Sequence, residues 1–198
     1  GPAAAVYGSD AMAGVVQIFT REGELGLKPS LELGLGSHGT ARVDAALSGA
    51  QGAVDYALGI TRETSEGFNA KPADNPDADG YRSTAVSARL GWKVAPGHKI
   101  EASYLANDLK SQYDAFAPGN DDWSLHDLKT LGLGWQARWS DRYSTRVSVT
   151  ESQDRYETTP SPYRTETTVR SYLWQNEWRQ DGHLVTAALE RREDALDN

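Results

Sequence analysis

The chain has 198 residues, no cysteine and one methionine, and its 28 acidic residues outnumber 20 basic ones, giving a net charge of -8. With no thiol there is neither a disulfide nor a thiolate metal site, and no apolar run approaches the roughly 18 residues that a membrane-spanning helix needs. Basic residues spread among a larger number of acidic ones exclude a nucleic-acid binder and make cationic partners or metal ions the more natural company.

The chain opens GPAAAVYGSDAMAGVVQIFT, a run of small residues that ends in a β-branched strand. After Thr20 the dominant signal is period two, the spacing at which alternate side chains face opposite sides of a strand. It runs weakly through Val54, Tyr56, Leu58 and Ile60. In 85–94 one face reads Val86, Ala88, Leu90, Trp92, Val94 and the other Ala85, Ser87, Arg89, Gly91, Lys93. The pattern returns at Ile100, Ala102, Tyr104 and Ala106. In 130–139 the faces are Leu131, Leu133, Trp135, Ala137, Trp139 against Thr130, Gly132, Gly134, Gln136, Arg138, and a last strand is expected over 184–190, ahead of a charged tail.

The connections alternate in length. Short turns are expected at 49–52, 95–98, 140–142 and 180–183, and long polar loops at 64–81, 107–127 and 154–166; on the long-loop side only 36–39 is short. Outer-membrane barrels join strands in this way, with short turns on one side and long loops on the other. Trp92, Trp139 and Trp178 lie a few residues before short turns and Tyr143 just after one, as a girdle at a membrane interface requires. The expected fold class is therefore all-β: a partial antiparallel transmembrane barrel, a meander of about nine strands without a closing strand. An open sheet in lipid leaves backbone groups unsatisfied at both edges, so the reading is of a piece of a larger barrel. A soluble carbohydrate-binding β-sandwich, with long loops at both ends, and a non-transporting adhesin barrel are the alternatives.

The opening stretch resembles the end of the plug domain of TonB-dependent outer-membrane receptors, where plug becomes barrel. Gly1, Pro2, Tyr7, Gly8, Ala11, Gly14, Val15, Val16, Ile18 and Thr20 fit the family pattern, while Ala13 replaces a usual Gly and Gln17 a usual Asn. The step Ser9-Asp10-Ala11 looks most like the cobalamin-transporter branch. The resemblance implies a division into a plug end, 1–24, and the first part of a barrel, 25–198. It implies TonB-dependent uptake of cobalamin or a similar large, scarce solute across the bacterial outer membrane, with a siderophore or other metal chelate as the alternative substrate. TonB would act through a TonB box and plug segment outside this sequence, and outer-membrane lipid would surround the barrel. Small residues suit a plug strand that approaches a crowded wall closely.

The run KPADNPDADGYRS sets Asp74, Asn75, Asp77 and Asp79 ahead of Gly80, the kind of oxygen-rich loop calcium favours, although a solvated acidic turn reads equally well. An EF-hand does not fit, because its bidentate Glu would fall at Val86. The resemblance implies calcium held between two neighbouring external loops, by Asp77, Asp79 and Asn69, at a place where Asp is usual, and by Tyr113, Asp114 and Asp122 or Asp121. No catalytic residue is expected: His38, His98, His126 and His183 fall at turns or loop ends, where a solvated histidine is the plain reading, and no nucleophile elbow, paired-His spacing or phosphate loop occurs.

Overall fold

Alternating side chains make one face of each strand apolar and the other polar, and such strands bury nothing until they lie side by side with their faces in register. A computed structural model of the chain describes residues 23–69, 71–72, 75–114, 122–160 and 163–198. It has nine strands: β1 Gly26–Leu35, β2 Ala41–Gln51, β3 Val54–Phe68, β4 Asp79–Ala95, β5 His98–Tyr113, β6 Asp122–Arg138, β7 Tyr143–Thr159, β8 Tyr163–Gln180 and β9 His183–Asp197. All pair antiparallel with their sequence neighbours in a single sheet, ordered β1 to β9. Among the described residues the sheet is not closed. The plug-end reading of 1–20 lies outside the described residues.

Register carries each face across the whole sheet. One row of opposed residues runs Leu47, Leu58, Ala88, Tyr104, Leu131, and another runs Tyr56, Leu90, Ala102, Leu133, Val149, Tyr172. The opposite face carries Ser48, Ala57, Arg89, Ser103, Gly132, Thr150 and Ser171 in one row. Leu58, Ile60, Leu90, Trp92, Leu131, Leu133, Trp174 and Leu189 are all exposed, and Ala137 is the one buried hydrophobic residue among the described residues. Among the described residues no second sheet covers this face, as a sandwich would require.

The short turns shift steadily along the register. Val54, just after the first, faces Trp92, yet β4 continues to Ala95; His98 faces Ala137, and Tyr143 faces Trp178 with β8 continuing to Gln180. Each short turn thus lies a few residues farther along than the one before. Strands that tilt as they wrap into a barrel need this stagger.

The loops are shorter than the sequence pattern predicts. The expected loops 64–81, 107–127 and 154–166 shrink to 69–78, 114–121 and 160–162, and the expected tail after 190 continues as strand to Asp197. Backbone pairing persists where the apolar face has ended, so hydrophobic alternation marks only part of each strand. Trp92, Trp139 and Trp178 share the apolar face: Trp139 Nε1 donates to Thr145 Oγ1 at 2.9 Å, its backbone N–H to the Tyr143 carbonyl at 3.0 Å, and Tyr143 faces Trp178. His98 departs from the solvated reading. Its ring stacks on Trp135 (6.0 Å, 20°) and meets Trp139 edge-on (5.0 Å, 85°), so it packs into the aromatic cluster beside the short turns.

Candidate functional site

At the long-loop end, the β3–β4 and β5–β6 connections leave from either side of the paired strands β4 and β5. Near the end of β3 the register slips between Ser65 and Phe68, and Gly67 there adopts φ 72°. A Cβ at Gly67 would collide with the Asp79 carbonyl. Only glycine meets both the backbone angle and the contact, so this residue sets where the loop re-enters the sheet at Asp79.

The two loops are tied by polar contacts. Asn69 Nδ2 donates to the Asn75 carbonyl at 2.6 Å, and the Asn75 N–H to the Lys71 carbonyl at 3.1 Å. Asn75, which is buried, then reaches the second loop, donating Nδ2–H to Asp114 Oδ1 at 3.1 Å, while Lys71 Nζ donates to the Asp114 carbonyl at 3.1 Å. Gln112 Oε1 accepts from the Gly80 N–H at 3.0 Å. Tyr113 faces Asp122, whose side chain is almost wholly enclosed at 2% exposure.

Among the described residues three buried side-chain oxygens find no hydrogen-bond donor: Asn69 Oδ1, Asp114 Oδ2 and Asp122 Oδ2. Enclosed oxygens without a donor are costly unless a water or a cation meets them. All three belong to the predicted ligand set. Asp77 is exposed, Asp79 and Tyr113 are half-buried. No group of three Asp, Glu or His side chains among the described residues is itself arranged as a metal site. The donor set is two carboxylates and an amide oxygen, all hard oxygens of the sort calcium takes with carbonyls and water. Asp121 and Asp74 lie outside the described residues. Sequence reasoning named Asn75 only as one of the oxygen-bearing residues of the run before Gly80 and passed over Lys71, whose place in the same run was the signal available.

On the polar face a second cluster lies toward the short turns. Arg89 donates Nη1 to Asp55 and Nη2 to Glu101 at 2.5 Å, and Lys99 Nζ stands 3.3 Å from Asp55 Oδ2. Arg89 and Asp55 are both buried. Gly91 faces Asp55, and a Cβ there would strike the carboxylate, so the glycine leaves room for the pair. This cluster is self-satisfied. It anchors β3, β4 and β5 rather than offering open ligand positions.

No family model matches the chain. Over 207 aligned residues it is 28% identical to the vitamin B12 transporter BtuB of Photobacterium profundum, a match that takes in 100% of this chain and 34% of that protein. The chain thus spans about a third of the length of the curated relative it matches. The relationship is distant, and it agrees with the resemblance carried by the opening residues.

Proposed function

We propose that this chain is part of an outer-membrane β-barrel receptor that imports a large, scarce solute, cobalamin or a related metal chelate, by TonB-dependent transport. The observation that carries this reading is the division of one nine-stranded meander into a continuous exposed apolar face and a polar face. In water an apolar face of this extent invites association, whereas lipid is its natural neighbour. The distant match to a vitamin B12 transporter along the whole chain supports the choice of solute. A depression of about 620 Å³, lined by small residues such as Ala57, Gly59 and Ser87 together with Lys28, Arg89 and Leu105, supports a plug packed within, since the small side chains leave room for a second layer of chain.

Calcium is the cofactor we propose for the two loops, supported by the unpartnered buried oxygens of Asn69, Asp114 and Asp122. Asp114, Asp122 and Asn69 would hold it, with Asp77, Asp79 and Tyr113 completing the set from the same loops; the ion supplies positive charge to oxygens that otherwise repel one another. The residues of the chain do the rest: Asn75 and Lys71 hold the Asp114 loop against the β3–β4 loop, and Gly67 fixes where that loop re-enters the sheet. Ordered loops would then close over bound solute. The reading is tested by titrating purified full-length receptor with cyanocobalamin, and with ferric siderophores in parallel. Saturable cyanocobalamin binding supports it, siderophore binding alone would move the receptor to the metal-chelate alternative, and binding of neither would leave an adhesin or scaffold barrel.

A further inference from the structure

Above the apolar band, toward the long loops, the outward face changes character. Arg62 on β3, Arg82 on β4, Lys110 on β5 and Lys129 on β6 all project to the side that carries Ile60, Val86, Ala106 and Leu131, as register requires: Arg62 faces Thr84, Arg82 faces Lys110, and Ala106 faces Lys129. They form a belt on four consecutive strands. None of the four has a carboxylate within ion-pair distance among the described residues; Arg62 donates instead to Thr84 Oγ1 at 2.5 Å. Farther round the sheet, the cations of this face are matched, Arg155 by Glu157 at 2.6 Å and Arg170 by Glu151 at 2.5 Å.

The acids inside the belt are Asp108 and Asp127, which face each other across β5 and β6. Four cations against two carboxylates leave the belt two charges positive on a chain whose net charge is -8. An aromatic marks the same level: Lys110 Nζ sits 4.0 Å from the ring centre of Trp123, on the same face. An indole that is part apolar and part polar, beside a cation, suits the depth where acyl chains give way to headgroups. Directly below lie the side chains that would meet the acyl chains.

We infer that Arg62, Arg82, Lys110 and Lys129 form a binding surface for a phosphate-bearing lipid of the outward leaflet, its phosphates on the four cations and its acyl chains against Ile60, Val86 and Leu131. This rests on the reading of the chain as an outer-membrane barrel. The charge complementarity is local, because the cations are left unmatched only where the apolar band meets the headgroup level. Juxtamembrane cations of this kind each contribute roughly fivefold to anionic-lipid affinity.

The test uses the full-length receptor in mild detergent, with native mass spectrometry reading the lipid retained after addition of bisphosphorylated lipid A, of its dephosphorylated counterpart, or of phosphatidylcholine. Wild-type receptor retains the phosphorylated lipid preferentially. Replacing Arg62, Arg82, Lys110 and Lys129 together by Gln lowers that retention at least about twentyfold, whereas Lys93→Gln, on the opposite face, leaves it unchanged. Heat-modifiable migration on gels confirms that both variants are folded. Undiminished retention by the fourfold variant overturns the inference, as does equal retention of the dephosphorylated lipid, or an acidic protein held at the belt in place of lipid. Cyanocobalamin titration of the same samples separates the two readings: lipid retention without solute binding refutes the transport proposal alone, and solute binding without phosphate-dependent retention refutes the lipid surface alone.

Discussion

Single residues decide whether the loop cluster can work. Asp114 and Asp122 each keep a buried oxygen without a donor among the described residues, whereas Asp77 faces solvent. Replacing both of the former by Asn keeps size and hydrogen-bonding ability and removes two charges. Calcium affinity of the full-length receptor should then fall by roughly tenfold or more, read by calorimetry in calcium-free buffer, while Asp77→Asn alone has the smaller effect; equal losses would mean that burial is not what selects the ligands. The polar-face cluster gives the second prediction at this scale. Arg89→Leu takes the guanidinium from the buried Asp55 carboxylate, leaving it only Lys99 at 3.3 Å, and should destabilise the folded receptor by about 3 kcal/mol in urea, and adding Asp55→Leu should recover part of it, because a buried charge that has lost a partner costs more than the absence of the pair. Glu101 and Lys99 remain to pair with each other in the double variant.

At the scale of elements, the apolar face of each strand was legible in the sequence, because alternation continues unbroken through Val86 to Trp92 and Leu131 to Trp135 and both sets fall on one side of the sheet. Strand length was not. Arg62, Thr64, Arg82, Lys110 and Lys129 stand on the apolar side yet are polar, so a reading based on hydrophobic period stops at the edge of the band while the hydrogen-bond ladder runs on for several residues. Of the candidate site, Asn69, Asp114 and Asp122 were named through the family resemblance and Asn75 as part of the acidic run, but the contact of Asn75 with Asp114, 39 residues away, is one that no local pattern announces. The two faces also predict opposite responses to charge. Leu133→Arg puts a guanidinium in the middle of the apolar face and should cost about 2–4 kcal/mol of folding free energy in lipid. Ser148→Arg, one strand away on the polar face, should cost much less. Unfolding in phospholipid vesicles compares them, and equal costs would argue that the apolar face does not meet lipid.

For the whole molecule the telling feature is the pair of strands with one partner each. β1 pairs only with β2 and β9 only with β8 among the described residues, although β9 continues as regular strand to Asp197. Each outer edge therefore presents a row of backbone donors and acceptors, which neither lipid nor a folded state in lipid tolerates. Exposed Leu31 and Leu33 on β1, and Val185 and Leu189 on β9, extend the apolar face to both outer strands, while Pro29 on β1 and the charged run 190–194 on β9 occupy other positions of the same strands. If the barrel reading holds, both outer strands are paired by further strands of the full-length receptor. Amide hydrogen exchange provides the measure. In the full-length receptor the β9 amides that point away from β8 should be protected as strongly as those bonded to β8, whereas the 198-residue chain alone, refolded in detergent, should exchange them rapidly and fail to give a heat-modifiable band. Fast exchange at those amides in the full-length receptor would mean that β9 is a true edge, and the barrel reading would fall with it.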